Sequence, residues 1–218
     1  MSASDADDAT LDGWDEPDAG VAPSASEVRL VHAIRNGDVE AFGELVQRYE
    51  RRVLKVVRRF ITDLDLATDL VQESFVRAWE RMDQFDPARR FGPWLFRLAV
   101  NLTYDHLRKQ RRRGRWSVFT DAGGDRAPDP STGDPRTELD MRQEVQLVLA
   151  EVPEAYRTVL VLRDLEGFCT SDVATITDRS EATIRWRLAE ARKMFREAWE
   201  RRERRVEATR LSPSTEED

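Results

Sequence analysis

The sequence predicts an all-α protein made of two small helical domains joined by a flexible linker. Three observations predict it. Apolar residues recur at three- and four-residue steps over most of the chain. A segment rich in proline, glycine, aspartate and serine, residues 116–138, splits the periodic stretches into two blocks. Strand signals are nearly absent, since the apolar run Val159-Leu160-Val161-Leu162 sits inside a helical period.

The elements follow in order. Residues 1–26 contain seven acids, no Lys or Arg and no periodicity, and read as a disordered acidic tail. Asn36-Gly37 is a break, after which Asp38 is placed to cap a long helix. Phe42, Leu45, Val46, Tyr49, Val53, Val56, Val57 and Phe60 form one apolar stripe on it. Asp65 is placed to cap the next helix, which carries Leu66, Leu70, Val71, Phe75, Ala78, Trp79 and Met82. Asp86-Pro87 interrupts that pattern. Gly92-Pro93 starts another helix, with Pro93 in the first turn where its missing N–H does no harm. This helix runs into a basic stretch ending at Arg115. The first domain is therefore 27–115 and the second 139–205, followed by a polar, frayed tail 206–218. Within the second, Val152-Pro153 marks a helix start and Gly167 a C-cap.

Composition narrows the function classes. At 218 residues with 35% charged and 40% hydrophobic side chains, the chain suits a charge-rich helical protein. No apolar run is long enough to span a membrane, and no basic segment with an apolar core opens the chain, so the cytoplasm is expected. One cysteine, Cys169, excludes an internal disulfide framework, and with only two histidines beside it no metal site or cofactor is expected. The net charge of −7 conceals two cationic patches. The acidic tail carries all of it. Residues 89–115 hold nine basic residues against one acid, and residues 185–205 hold nine against four. A polyanion would meet those patches, whatever the global charge.

Two motifs carry this charge. Ser171 to about Thr177 reads as a short helix, Asp178-Arg179 as a turn, and Ser180 as the cap of a second helix. Ile184, Leu188 and Ala191 face the first helix, which leaves Glu181, Arg185, Trp186 and Arg187 outward. A helix of this kind fits the major groove, and Arg near its start can bond guanine or phosphate. The same pattern also suits a helical hairpin with a solvated charged face. The second motif is the basic run Arg108, Lys109, Arg111, Arg112, Arg113 and Arg115, with Phe85, Phe91, Trp94 and Trp116 nearby. Cations hold a phosphate backbone and aromatic faces stack on unpaired bases. A solvated helix end beside core aromatics gives the same pattern.

Several motifs together resemble extracytoplasmic-function (ECF) sigma factors of the sigma-70 family. Leu66 to Trp79 (LATDLVQESFVRAW) is similar to their segment for core polymerase. Phe85-Asp86-Pro87, then FGPWLFRLAVN from Phe91 to Asn101, then Asp105-His106-Leu107-Arg108-Lys109, are similar to their second-domain segment for the −10 element. Val152-Pro153-Glu154-Ala155-Tyr156-Arg157 through Gly167 resembles the opening of their fourth domain, and Asp172-Val173-Ala174 with Thr183 to Arg192 its helix-turn-helix.

The resemblance implies an alternative sigma factor with RNA polymerase core, promoter DNA and an anti-sigma factor as partners. Asp69, Leu70, Gln72 and Glu73 would meet polymerase. Asp86, Phe91, Trp94, Arg97 and Asn101 would take the −10 strand, with Arg108, Lys109, Arg111 and Arg112 on phosphates. Ser180, Thr183, Arg185, Trp186, Arg187 and Arg192 would meet the −35 duplex. The 23-residue linker reaches at most roughly 75–80 Å, enough for two sites about two helical turns apart. Asp69 and Glu73 share a helix face. No histidine, metal cluster or phosphate loop accompanies them, so no catalytic residue and no enzyme are expected. The reading face departs from the family. Asp178 and Ala182 replace usual glycines, Arg179 an apolar residue, Trp186 a small polar one and Glu190 a basic one, so the −35 preference cannot be copied from relatives. The rival readings are a helix-turn-helix regulator that works without polymerase and a helical scaffold with solvated basic faces. The acidic tail serves solubility, or mimics nucleic acid over the basic patches.

Overall fold

The computed structural model describes residues 22–117 and 138–211. Most of the expected acidic tail, most of the expected linker and residues 212–218 lie outside the described residues. Among the described residues all regular structure is helical, in two groups of four α-helices.

The first group comprises α1 (Ala25–Arg35), α2 (Val39–Arg58), α3 (Leu64–Glu80) and α4 (Phe91–Ser117), with a 3-10 turn at Met82–Gln84. Asp38 caps α2 as its sequence position predicts, its carboxylate accepting from the Ala41 N–H at 3.1 Å. The cap of α3 is Asp63 rather than Asp65. Asp63 has the extended backbone a cap requires, and its Oδ1 accepts from the N–H groups of Asp65 and Leu66. Asp65 instead sits in the first turn, where a negative charge favours the helix dipole. The stripe of α2 is narrower than periodicity alone indicates. Leu45, Tyr49, Val53, Val56 and Val57 are buried, while Phe42 and Val46 pack at the core's edge.

Two contacts fix the turn between α3 and α4. Arg35, at the end of α1, donates to the carbonyls of Met82, Asp83 and Phe85, so its guanidinium gathers oxygens that no helix satisfies. At Gly92 an added Cβ would stand 3.1 Å from the Tyr49 ring and 3.3 Å from its hydroxyl oxygen, so any larger residue there has to push the Tyr49 ring back by a few tenths of an ångström. The Tyr49 hydroxyl donates to Glu27 on α1, and burial together with that carboxylate pushes its pKa well up.

The second group comprises α5 (Glu138–Glu151), α6 (Glu154–Leu160), a π-helical turn (Val161–Leu165), α7 (Thr170–Thr177) and α8 (Glu181–Leu211). The apolar run from Val159 to Leu162 is buried throughout and crosses from α6 into the π-helical turn. Gly167, at φ +71, reverses the chain after it, as a glycine C-cap position requires. The helix α8 continues to Leu211, beyond the expected boundary at 205. Pairs such as Glu200–Arg204 support its polar end.

The two groups pack on each other, α4 against α7. Phe96 of α4 meets Phe168 edge-on at 4.7 Å between ring centroids, and the Arg52 guanidinium lies 4.3 Å from the Phe168 ring centre. No helix of the described residues is long and apolar enough to cross a membrane.

Candidate polymerase and nucleic-acid interfaces

The exposed side of α3 mixes acid and apolar groups. Asp69, Gln72 and Glu73 are exposed, and Val76 and Trp79 lie on the same helix at 50% and 38% exposure. Val39 and Leu64 add exposed apolar surface at the starts of α2 and α3. Large apolar side chains set among charges are how a protein surface presents a docking site. Glu73 is paired with Arg77 at 2.8 Å across one helical turn. Leu70 is different: it is buried in the core, so it holds α3 in place behind the exposed residues.

The first turn of α4 follows a small aromatic cluster. Phe85, Phe91 and Trp94 lie 4.9–5.6 Å apart between ring centroids, with Tyr49 behind Phe91. Phe91 is fully buried and Trp94 only partly, so Trp94 is the ring an unpaired base could reach. Asp86 folds its own loop, accepting from the Ala88 N–H at 3.0 Å and pairing with Arg89 at 3.5 Å. Trp94, Arg97, Asn101 and Arg108 recur at three-, four- and seven-residue steps, which sets them along one side of α4. Asn101, Lys109, Arg111 and Arg112 are exposed. Arg108 pairs with Asp105 and, at 3.2 Å, with Glu154 of α6. Arg97 pairs with Asp178 at 3.1 Å.

In the second group α7 and α8 form a helix-turn-helix. Its turn is Asp178, at φ 57 and ψ 51, followed by Arg179 and Ser180. Aspartate tolerates this left-handed backbone better than most residues, so the turn stands without glycine. Ser180 caps α8 by accepting from the Thr183 N–H at 3.2 Å. Ile184 and Ala191 are buried against the core. Arg185 and Trp186 are outward, with Trp186 60% exposed and its ring 6.0 Å from Tyr156. Arg185 is held by Glu181 one turn earlier at 3.1 Å. Arg192 makes a two-pronged pair with Asp164, both contacts at 2.7 Å, at the rim of a groove lined by Leu149, Leu160, Leu165, Phe195 and Trp199.

Known proteins share this arrangement. The family described as Sigma-70 region 2 matches residues 45–113, and Sigma-70, region 4, matches residues 142–195. The RNA polymerase sigma-H factor of Pseudomonas aeruginosa is 33% identical over 177 residues, covering 78% of this chain and 92% of that protein. The ECF RNA polymerase sigma-E factor of Haemophilus influenzae is 32% identical over 185 residues, covering 80% and 96%. The chain belongs to the ECF sigma factors of the sigma-70 family. Among solved structures, the sigma factor RpoE of Bartonella quintana, in complex with the anti-sigma factor NepR, matches in fold. Its TM-score is 0.58 at 23% identity, over 74% of this chain and 98% of that one. As an alternative sigma factor the protein directs RNA polymerase to promoters, and the reading as a regulator that works without polymerase is not favoured.

The acids that face this sigma factor's cations are not legible in its sequence. Asp172 and Asp178 of the C-terminal group pair with Arg90 and Arg97 of the N-terminal group, and Glu166 pairs with Lys55 and Arg59. Partners some 80 to 110 residues apart leave no local signal. The groove on the second group was also not foreseen, although Phe195 and Trp199, one turn apart and stacked, are its trace in the sequence.

Proposed function

We propose that residues 27–115 dock this sigma factor on RNA polymerase core and hold the −10 strand, and that residues 139–205 read the −35 duplex, with 116–138 as the tether between them. The observation that carries this reading is the pairing, in one chain, of a cationic and aromatic helix side with a groove-sized helix whose outer residues are Arg185 and Trp186. Asp69, Gln72 and Glu73 meet basic groups of polymerase, while Val76 and Trp79 give the contact an apolar centre. Trp94 stacks on a base, with buried Phe91 and Leu70 acting as supports behind the two surfaces. Asn101 offers donor and acceptor groups to a base edge, Asp86 shapes the loop beside it, and Arg97, Arg108, Lys109, Arg111 and Arg112 hold phosphates. Ser180 and Thr183 present hydroxyls near the start of α8. Arg185, Trp186 and Arg187 enter the major groove, and Arg192 borders it.

On this reading the protein makes and breaks no covalent bond and works in the cytoplasm, where polymerase and promoter are found. An anti-sigma factor that covers these surfaces is the expected inhibitory partner. In vitro transcription with core polymerase and a promoter library tests the assignment, alongside a polymerase pull-down. Reversing both charges, Asp69→Arg with Glu73→Arg, should abolish pull-down and promoter-specific transcripts while the melting temperature stays near that of the parent. Undiminished pull-down would remove the polymerase assignment.

A further inference from the structure

Arg35 stands in the last turn of α1, ahead of residue 45, where the Sigma-70 region 2 match begins. Its partners are backbone oxygens. Nε and Nη2 both donate to the Met82 carbonyl at 3.2 Å, and Nη2 also donates to the carbonyls of Asp83, at 3.3 Å, and Phe85. A hydrogen bond from a charged donor is stronger than one between neutral groups. One side chain of α1 thus gathers three oxygens from a segment 47 to 50 residues further along the chain.

That segment is the turn between α3 and α4. Its underside is apolar, since Met82 and Phe85 are buried. Its other side, with Asp83, Gln84, Asp86, Ala88 and Arg89, is exposed. The turn's own backbone bonds are local, Phe85 N–H to Met82 at 3.2 Å and Arg89 N–H to Asp86 at 2.9 Å, and do not tie it to the helices around it. Arg35 does. The Phe85 oxygen belongs to the peptide group that ends in the Asp86 nitrogen, and a peptide group is planar. Holding that oxygen therefore orients the Asp86 backbone. Pro87 restricts Asp86 from the other side, because the residue before a proline is kept out of helical backbone. The Asp86 carboxylate then accepts from the Ala88 N–H at 3.0 Å. Phe85 also passes the hold sideways. Its ring centroid lies 4.9 Å from that of Trp94, the partly exposed ring that is the candidate to stack on a base.

We propose that Arg35 is a positioning residue for −10 recognition. It holds the Phe85–Asp86 peptide and, through the Phe85 ring, Trp94, so that the turn has its base-receiving shape before DNA arrives. A preformed turn does not have to be ordered on binding, which raises affinity and favours the one base that fits that shape. Arg35 acts through the turn and not on DNA itself. This rests on the −10 roles proposed above for Asp86 and Trp94.

The test uses the full chain with Arg35→Met, with Arg35→Lys and, as a control for the lost charge, with Arg29→Met, which removes an exposed cation from the same helix. Transcription with core polymerase from a promoter pool randomised across the −10 element is read by sequencing the transcripts. Hydrogen exchange is followed by mass spectrometry. Arg35→Met should speed exchange over residues 82–90 by about tenfold and leave α3 and α4 as in the control. It should also narrow the spread between best and poorest base about tenfold at one or two −10 positions, since the turn no longer favours one shape. The remaining positions and polymerase pull-down should match the control. Lysine keeps the charge, but its single nitrogen cannot span these carbonyls as the planar fork does, so Arg35→Lys should lose only about threefold. An equal loss of transcript at every position would mean that Arg35 supports the fold alone, and would overturn the proposal. Unchanged base preference, or unchanged exchange over 82–90, would overturn it too. Should Arg35→Met lose helical circular dichroism, Arg35→Lys is read by the same two measurements. A parent chain whose transcripts show no −10 preference would strike the −10 reading itself and this proposal with it. The two failures are told apart because only that one is seen in the parent.

Discussion

The two helical groups close their cores by different means. The N-terminal group encloses large rings and branched chains, with Leu45, Phe91, Leu95 and Phe96 all within 1% of complete burial. The C-terminal group relies mainly on aliphatic side chains such as Leu149, Leu162, Ile176 and Ile184, and leaves a groove of about 610 Å³ open between α5, the end of α6 and α8. The two share one seam, where Phe168 of the second is buried against Phe96 and Arg52 of the first.

Truncation in each core breaks this comparison most directly. Leu45→Ala should cost about 4–5 kcal/mol, the upper part of the range for buried leucine, because rigid neighbours cannot collapse into the void. Leu149→Ala, at the wall of an open groove, should cost about 2–3 kcal/mol. Denaturant midpoints of the two variants decide it, and equal losses would mean that both cores are equally closed.

Alkaline titration probes the seam between the groups. Tyr104 of α4 accepts from Thr158 at 2.7 Å and donates to the Glu154 carbonyl, and burial pushes its pKa up to about 12. A phenol whose pKa is higher in the folded chain than in the unfolded one stabilises the fold fully below pH 10. That contribution is lost as pH rises from about 10 to 12. The parent should therefore lose stability over this window more steeply than Tyr104→Phe, measured as the difference between their denaturant midpoints. Parallel curves would place Tyr104 in water. The group with the next buried phenol, Tyr49, titrates higher still and is common to both chains.

The smallest effect concerns the reading face. Arg185→Ala should weaken −35 duplex binding by about 1–3 kcal/mol at one base position if it contacts a base edge. Competition binding across single-base promoter variants checks this. A uniform loss over all variants would mean a phosphate contact, and Arg185 would then resemble the cations of α4 rather than a base reader.

Much of the helical layout was legible because capping and periodicity act over a few residues. Asp38, Pro93, Gly167, Asp178 and Ser180 each solve a backbone problem within one turn, so their roles can be read locally. The cap of α3 moved from Asp65 to Asp63 because two aspartates satisfy the same local rule and only backbone geometry separates them. The site was legible as residue types. Which of those side chains face water was not, since Phe91 and Leu70 sit in the core while Trp94 and Asp69 lie nearer the surface.

The sequence by itself determined an all-helical chain in two blocks, the helix-turn-helix with its unusual aspartate turn, and the cationic stretches. These follow from periods, caps and charge counts that depend on near neighbours in the chain. Only the tertiary structure decided that acids of the second block would sit on cations of the first, and that α7 would lie along α4. Such pairings join residues more than forty positions apart, and their energy depends on desolvation and approach distance, which the order of residues does not encode.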